Sequence, residues 1–97
     1  MPKGYWIASV DVSDPEGYKE YVAANAVAFT KYGARFLVRG GRFEVPEGAA
    51  RSRNIVLEFK DYDTALACYR SPEYAAAKAL RDGRSEANLI IIEGHDG

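Results

Sequence analysis

Hydrophobic positions along this chain switch between the two-residue alternation of strands and the longer period of helices, in an order that occurs twice. Tyr5–Val12 alternates, with Trp6, Ala8, Val10 and Val12 on one face and Tyr5, Ile7, Ser9 and Asp11 on the other. The alternation is incomplete, as suits a central strand partly covered on both sides. Ser13-Asp14-Pro15-Glu16 then opens a helix. Ser13 or Asp14 caps it, Pro15 takes the first turn, and Ser13 with Glu16 has the spacing of a capping box. Tyr18, Tyr21, Val22, Ala26, Phe29 and Tyr32 recur as one apolar stripe, and Gly33 stops the helix. Ala34–Arg39 predicts a second strand, with Phe36 and Val38 facing one way and Arg35, Leu37 and Arg39 the other.

Gly40-Gly41 breaks that strand, and Arg42–Ser52, with Pro46 and Gly48, reads as a long hairpin connection holding a short Phe43–Val45 strand. Arg53–Phe59 predicts the third strand, with Ile55, Leu57 and Phe59 opposite Asn54, Val56 and Glu58. Asp61 caps a second helix whose buried stripe is Tyr62, Ala65, Leu66 and Tyr69. Ser71-Pro72 interrupts it and restarts a helix from Glu73 to about Arg81, which Asp82-Gly83 ends. Leu89–Ile92 is the most apolar run and places a last strand over Ala87–Glu93, buried on both faces. His95-Asp96-Gly97 is a polar tail.

The order β-α-β-β-α-β is the split βαβ of ferredoxin-like α+β domains. It predicts an antiparallel sheet with the outer edges formed by the second and fourth strands and both helices on one face. Phe36, Val38, Ile55, Leu57 and Phe59 belong to the helix face. The opposite face carries Leu37, Val56 and part of Ile90–Ile92 beside Arg35, Arg39, Asn54 and Glu58. That surface is too apolar for solvent and too polar for a dry core. A two-fold partner laying its own sheet there would give a homodimer, a dimeric α/β barrel.

Composition narrows the function. The 97 residues, 47% hydrophobic, predict one domain over residues 1–97. A net charge of −1 supplies no basic field for nucleic acid, and Arg53–Phe59 lacks the spaced aromatics of an RNA-recognition strand. Cys68 is the only cysteine, so an internal disulfide, a Cys-rich zinc site and an iron–sulfur cluster are excluded, and no metal or cofactor is expected. No apolar run is long enough to span a membrane, and the N-terminal residues lack a secretory apolar region. A cytoplasmic protein is the expectation.

Among candidate chemical groups, Arg39, Asn54 and Glu58 occupy strand positions where a charge must find a partner. Two readings fit them: an ion pair between Arg39 and Glu58 that fixes register, or a small-molecule site for a carboxylate or carbonyl. Tyr69 and Tyr74 flank the Ser71-Pro72 break. They either line a cleft with Trp6 and Arg81 or serve as core and rim aromatics. His95 lies in the terminal segment and Cys68 has no neighbouring base, so neither is assigned chemistry. Asp14, Glu16, Asp61 and Asp63 sit at helix starts, where capping and the helix dipole explain them. Gly40-Gly41 lacks the frame of a phosphate loop.

Gly4-Tyr5-Trp6-Ile7, Arg39-Gly40-Gly41, Arg53-Asn54, Glu58-Phe59 and Tyr69-Arg70-Ser71-Pro72-Glu73-Tyr74 together resemble the DUF1330 family, small bacterial proteins of unknown function. The resemblance implies membership of the dimeric α/β-barrel superfamily. That superfamily holds cofactor-free monooxygenases, muconolactone isomerases, dehydratases and haem-bearing enzymes. Residue by residue, the resemblance implies a ligand site at Arg39, Asn54, Glu58, Tyr69, Tyr74 and Arg81. The histidine that many relatives place inside the barrel has no counterpart here, which argues against haem ligation and His-based proton abstraction. Two functions stay open: a cofactor-free enzyme or binder with a pocket between sheet and helices, and a non-catalytic dimeric sensing or interaction module. Neither involves nucleic acid or a membrane.

Overall fold

Each helix of the protein begins on a side chain that substitutes for a missing intrahelical acceptor. The computed structural model describes residues 2–95. Asp14 accepts from Gly17 N at 3.1 Å and starts α1 (Pro15–Tyr32). Ser13 plays no part in this cap, so the predicted box is not made. Asp61 accepts from Thr64 N at 2.7 Å and starts α2 (Tyr62–Tyr69). Ser71 accepts from Tyr74 N at 3.1 Å and starts α3 (Pro72–Arg81). The Ser71 hydroxyl also donates to Cys68 O at 2.6 Å, so one residue ends α2 and opens α3. Gly33 closes α1 at φ 69°, a left-handed conformation that side chains rarely adopt.

The strands are β1 (Gly4–Val12), β2 (Arg35–Arg39), β3 (Arg53–Phe59) and β4 (Ser85–Glu93). They form one antiparallel sheet in the order β2-β3-β1-β4, the ferredoxin-like arrangement. All three helices pack on one face. There Trp6, Val10, Leu57 and Phe59 meet Tyr18, Tyr21, Ala28, Phe29, Ala65, Cys68, Tyr74 and Ala77 in one buried cluster. Trp6 is its hub: its indole donates to Ala65 O at 2.9 Å and its ring lies edge-on to Phe29 and Tyr74. Helix and sheet make a slab of 39 × 37 × 17 Å. Among the described residues, no helix is long and apolar enough to cross a membrane.

Several expectations are corrected. In α1 Asn25 and Ala28 are buried beside Tyr18, Tyr21 and Phe29, and Ala26 is exposed. Asn25 lies a full turn beyond Tyr21, in line with the stripe, and Ala26 is rotated away from it. Tyr62 is only half-buried. Phe43–Val45 forms no strand, and Phe43 and Val45 lie exposed on the connection. The β4 run is not buried on both faces. Ile90 is 57% and Ile92 47% exposed, because β4 is an edge strand whose alternate positions face away from the helices. The polar tail is described only as far as His95, which is exposed. Asp96 and Gly97 lie outside the described residues.

The largest correction concerns β2. Phe36 pairs with Leu57, but Val38 pairs with Val56 and Arg39 with Ile55, so the register shifts at Leu37. One extra residue in a strand turns every later side chain to the other face. Val38 therefore joins the uncovered face and Arg39 the helix face, the reverse of the alternation expected from sequence. The uncovered face displays Ile7, Leu37, Val38, Ile90 and Ile92.

Candidate functional site

A cavity of about 60 Å³ opens between the helix layer and the sheet. Its floor is apolar and aromatic: Trp6, Ala8, Leu57, Phe29 and Phe36, with Ile55 and Leu89. Its polar groups come from five elements, four of which meet near one end of the slab. β2 ends with Arg39, β3 begins with Arg53, β4 begins with Ser85 and α3 ends with Arg81. From α1 come Tyr18, Tyr21 and Asn25, and from α3 Tyr74.

The hydroxyls of Tyr21 and Tyr74 lie 2.8 Å apart in the buried interior. The pair holds two protons, and only one can lie between the two oxygens, which leaves the other free for a third partner. Burial is the main reason that both phenols are held above their ordinary pKa, and the positive charge of Arg81 opposes it. The Arg81 guanidinium stands 5.5 Å from the centre of the Tyr21 ring. Tyr18 is likewise raised, by burial first, with Arg53 and Arg81 acting against the rise. At neutral pH these tyrosines are hydrogen-bond donors and not proton acceptors.

The charge balance of the lining is one-sided. It contains Arg39, Arg53 and Arg81 and no aspartate or glutamate. Two arginines outside it are tied to acids: Arg51 bridges Asp11 and Glu86, and Arg84 bridges Asp14 and Glu20. Among the described residues the three cavity arginines make no such pair. Arg39 lies over the Phe36 ring, 4.2 Å from its centre. Arg53 keeps a buried Nε without a hydrogen-bond partner, and so does the Ser85 hydroxyl. Gly40, at φ 70°, leaves room for Arg53, since a methyl group there would meet its Nη1 at 3.1 Å.

The six residues singled out from sequence separate into two groups and an intermediate. Arg39, Tyr74 and Arg81 line the cavity. Asn54 and Glu58 lie on the uncovered face, where Asn54 donates to Arg51 O at 3.2 Å and Glu58 accepts from the Tyr5 hydroxyl at 3.3 Å. Arg39 and Glu58 consequently form no pair; Glu58 stands opposite Arg35. Tyr69 backs the cavity wall, its ring 5.8 Å from Trp6 and 5.4 Å from Tyr74. Sequence reasoning passed over Arg53, Ser85, Tyr18, Tyr21 and Asn25 as site residues. Arg53 had a signal, since it is in phase with Ile55 and Leu57. Among the described residues, no group of three or more His, Cys, Asp or Glu side chains is arranged to hold a metal ion.

Sheet order, single helical layer and helix-side cavity define a ferredoxin-like α+β domain. Residues 3–95 match the family described as a domain of unknown function (DUF1330), and the chain belongs to that family. No curated protein matches it. Among solved structures it is similar to RPA0582, a protein of unknown function from Rhodopseudomonas palustris, with TM-score 0.77 at 15% identity over 99% of this chain and 85% of that one. It is also similar to SnoaB, a cofactor-independent oxygenase from Streptomyces nogalater, with TM-score 0.65 at 12% identity over 100% and 97% of the chains. A dimeric protein of unknown function with a ferredoxin-like fold from Bacteroides fragilis gives TM-score 0.54 at 16% identity over 94% and 95%. At these identities the likeness is one of fold.

Proposed function

We propose that the protein is a homodimeric small-molecule binder that holds its ligand in the cavity between sheet and helices without a cofactor. The observation that carries this reading is the convergence of Arg81 with the Tyr21–Tyr74 hydroxyl pair on an apolar cavity. Convergent polar groups on an apolar pocket are the usual form of a ligand site. They suit a carbonyl or carboxylate oxygen, which accepts from a phenol and a guanidinium together. The homodimer rests on the apolar residues of the uncovered face, and the Bacteroides fragilis neighbour is described as dimeric.

The same groups limit catalysis. The lining contains no histidine, carboxylate or thiol to take a proton, and burial pushes its tyrosines away from that role. An enzymatic version would stabilise negative charge on a substrate that ionises readily, through oxyanion binding by Arg81 and the phenols. SnoaB, a cofactor-independent oxygenase, is compatible with that version at the level of fold. The sensing reading needs only binding, and the missing base favours it.

Ala8→Leu tests the site. Ala8 lines the floor, and the added side chain fills the space a ligand needs. The variant should keep its fold by circular dichroism and lose binding of small organic acids and ketones in thermal-shift screens. Unchanged binding would remove the cavity from consideration.

A further inference from the structure

Two buried polar atoms at the cavity have no partner, and they lie at the same end of it. Arg53 stands opposite Val10 on β1, and Ser85 stands opposite Val12, two residues further along the same face. Arg53 Nε and Ser85 Oγ are both shielded from solvent and unbonded. A buried donor without an acceptor costs free energy, more so when it belongs to a cation. Both groups donate, and neither meets a protein carboxylate. The opposite end of the cavity is Trp6, Phe29 and Leu57, which offers only apolar surface.

We propose that Arg53 and Ser85 anchor an oxyanion, and that the ligand is an amphipathic organic acid with its carboxylate at this end and an apolar body against Trp6. This rests on the pocket reading above and names the ligand class for it. Arg81 contributes positive charge beside the anchor, and the Tyr21–Tyr74 pair donates to a second oxygen deeper in. A guanidinium fork suits the planar carboxylate. Gly40 belongs to the same device, because any side chain there would crowd the Arg53 fork.

Trp6 is the only tryptophan and lines the floor, so its fluorescence reports occupancy. Phenylacetate and hexanoate, with phenylacetamide and hexanamide as neutral counterparts, are titrated into wild type, Arg53→Met and Ser85→Ala. The acids should quench Trp6 at concentrations at least about tenfold below the amides, and Arg53→Met should weaken acid binding by about tenfold or more. Ser85→Ala should weaken acid binding less than Arg53→Met does, since it removes a neutral donor and not a charge. If Arg53→Met does not fold, the wild-type acid-to-amide ratio and Ser85→Ala decide alone. Equal binding of acids and amides, or full acid affinity in Arg53→Met, overturns the anchor and leaves the pocket reading standing. No response to any of the four compounds overturns both.

Discussion

Tyr21 and Tyr74 share a hydrogen bond between hydroxyls that belong to two different helices, with Arg81 beside them. This contact joins the packing of α1 on α3 to the polar part of the cavity. It also makes alkaline stability a property of the site. Both phenols have raised pKa values in the fold, mainly through burial, whereas those of the unfolded chain titrate near about 10. Their contribution is therefore complete below about pH 10 and is lost as pH rises toward the folded values. The double variant Tyr21→Phe/Tyr74→Phe should show a flatter decline in melting temperature above about pH 10 than wild type. Either single variant leaves one buried hydroxyl unpaired and should cost about 1–2 kcal/mol at neutral pH. Denaturant melts followed by circular dichroism check both statements, and an unchanged alkaline slope in the double variant would count against the buried pair.

Arg39 should matter little to stability. Its guanidinium rests on Phe36 and meets no carboxylate, so Arg39→Ala should cost at most about 1 kcal/mol. A double-mutant cycle with Glu58→Leu should give a coupling within about 0.5 kcal/mol of zero, since the two side chains lie on opposite faces. A coupling of about 2 kcal/mol would contradict the register shift at Leu37.

The uncovered sheet face should bring two copies together. Sedimentation should give twice the 10.7 kDa of the chain, with an interface of at least about 1,600 Å². Ile90 is 57% exposed in the single chain, so Ile90→Asp should leave the fold intact and yield a monomer. A wild-type monomer at micromolar concentration would exclude this interface.

Cys68 should be silent. It is fully buried between α2 and α1, its thiol 3.9 Å from Ala28 O, and burial pushes its pKa up to about 12. Thiol reagents should label the protein only in denaturant, in step with unfolding. Fast labelling of the native state would mean that α2 opens locally.

The legible parts of the fold were those that local chemistry decides. Asp61 and Ser71 announce their helices because a cap needs only a side chain and a backbone N–H three residues on. The Ser71-Pro72 break was readable for the same reason. The face of Arg39 was not readable, because the bulge at Leu37 arises from pairing with β3 and carries no glycine to mark it. Asn25 escaped because a polar residue drops out of an apolar stripe even when it lies in line with it. Leu89–Ile92 reads as a doubly buried strand by composition, yet its place at the sheet edge is a matter of topology. Of the site, the Tyr74–Arg81 half was accessible from sequence. The Arg53–Ser85 half needed the two strand starts to be brought to one end of the slab.

The bulge at Leu37 makes strand register a chemical variable. Drawing Leu37 into the ladder opposite Val56 would change no amino acid, yet it would turn Arg39 outward and Val38 inward. A charge would leave the cavity and arrive where a second subunit is expected to sit. Ligand preference and self-association in this scaffold are therefore coupled through the register of one short strand, a link that comparison of residue types at aligned positions would overlook.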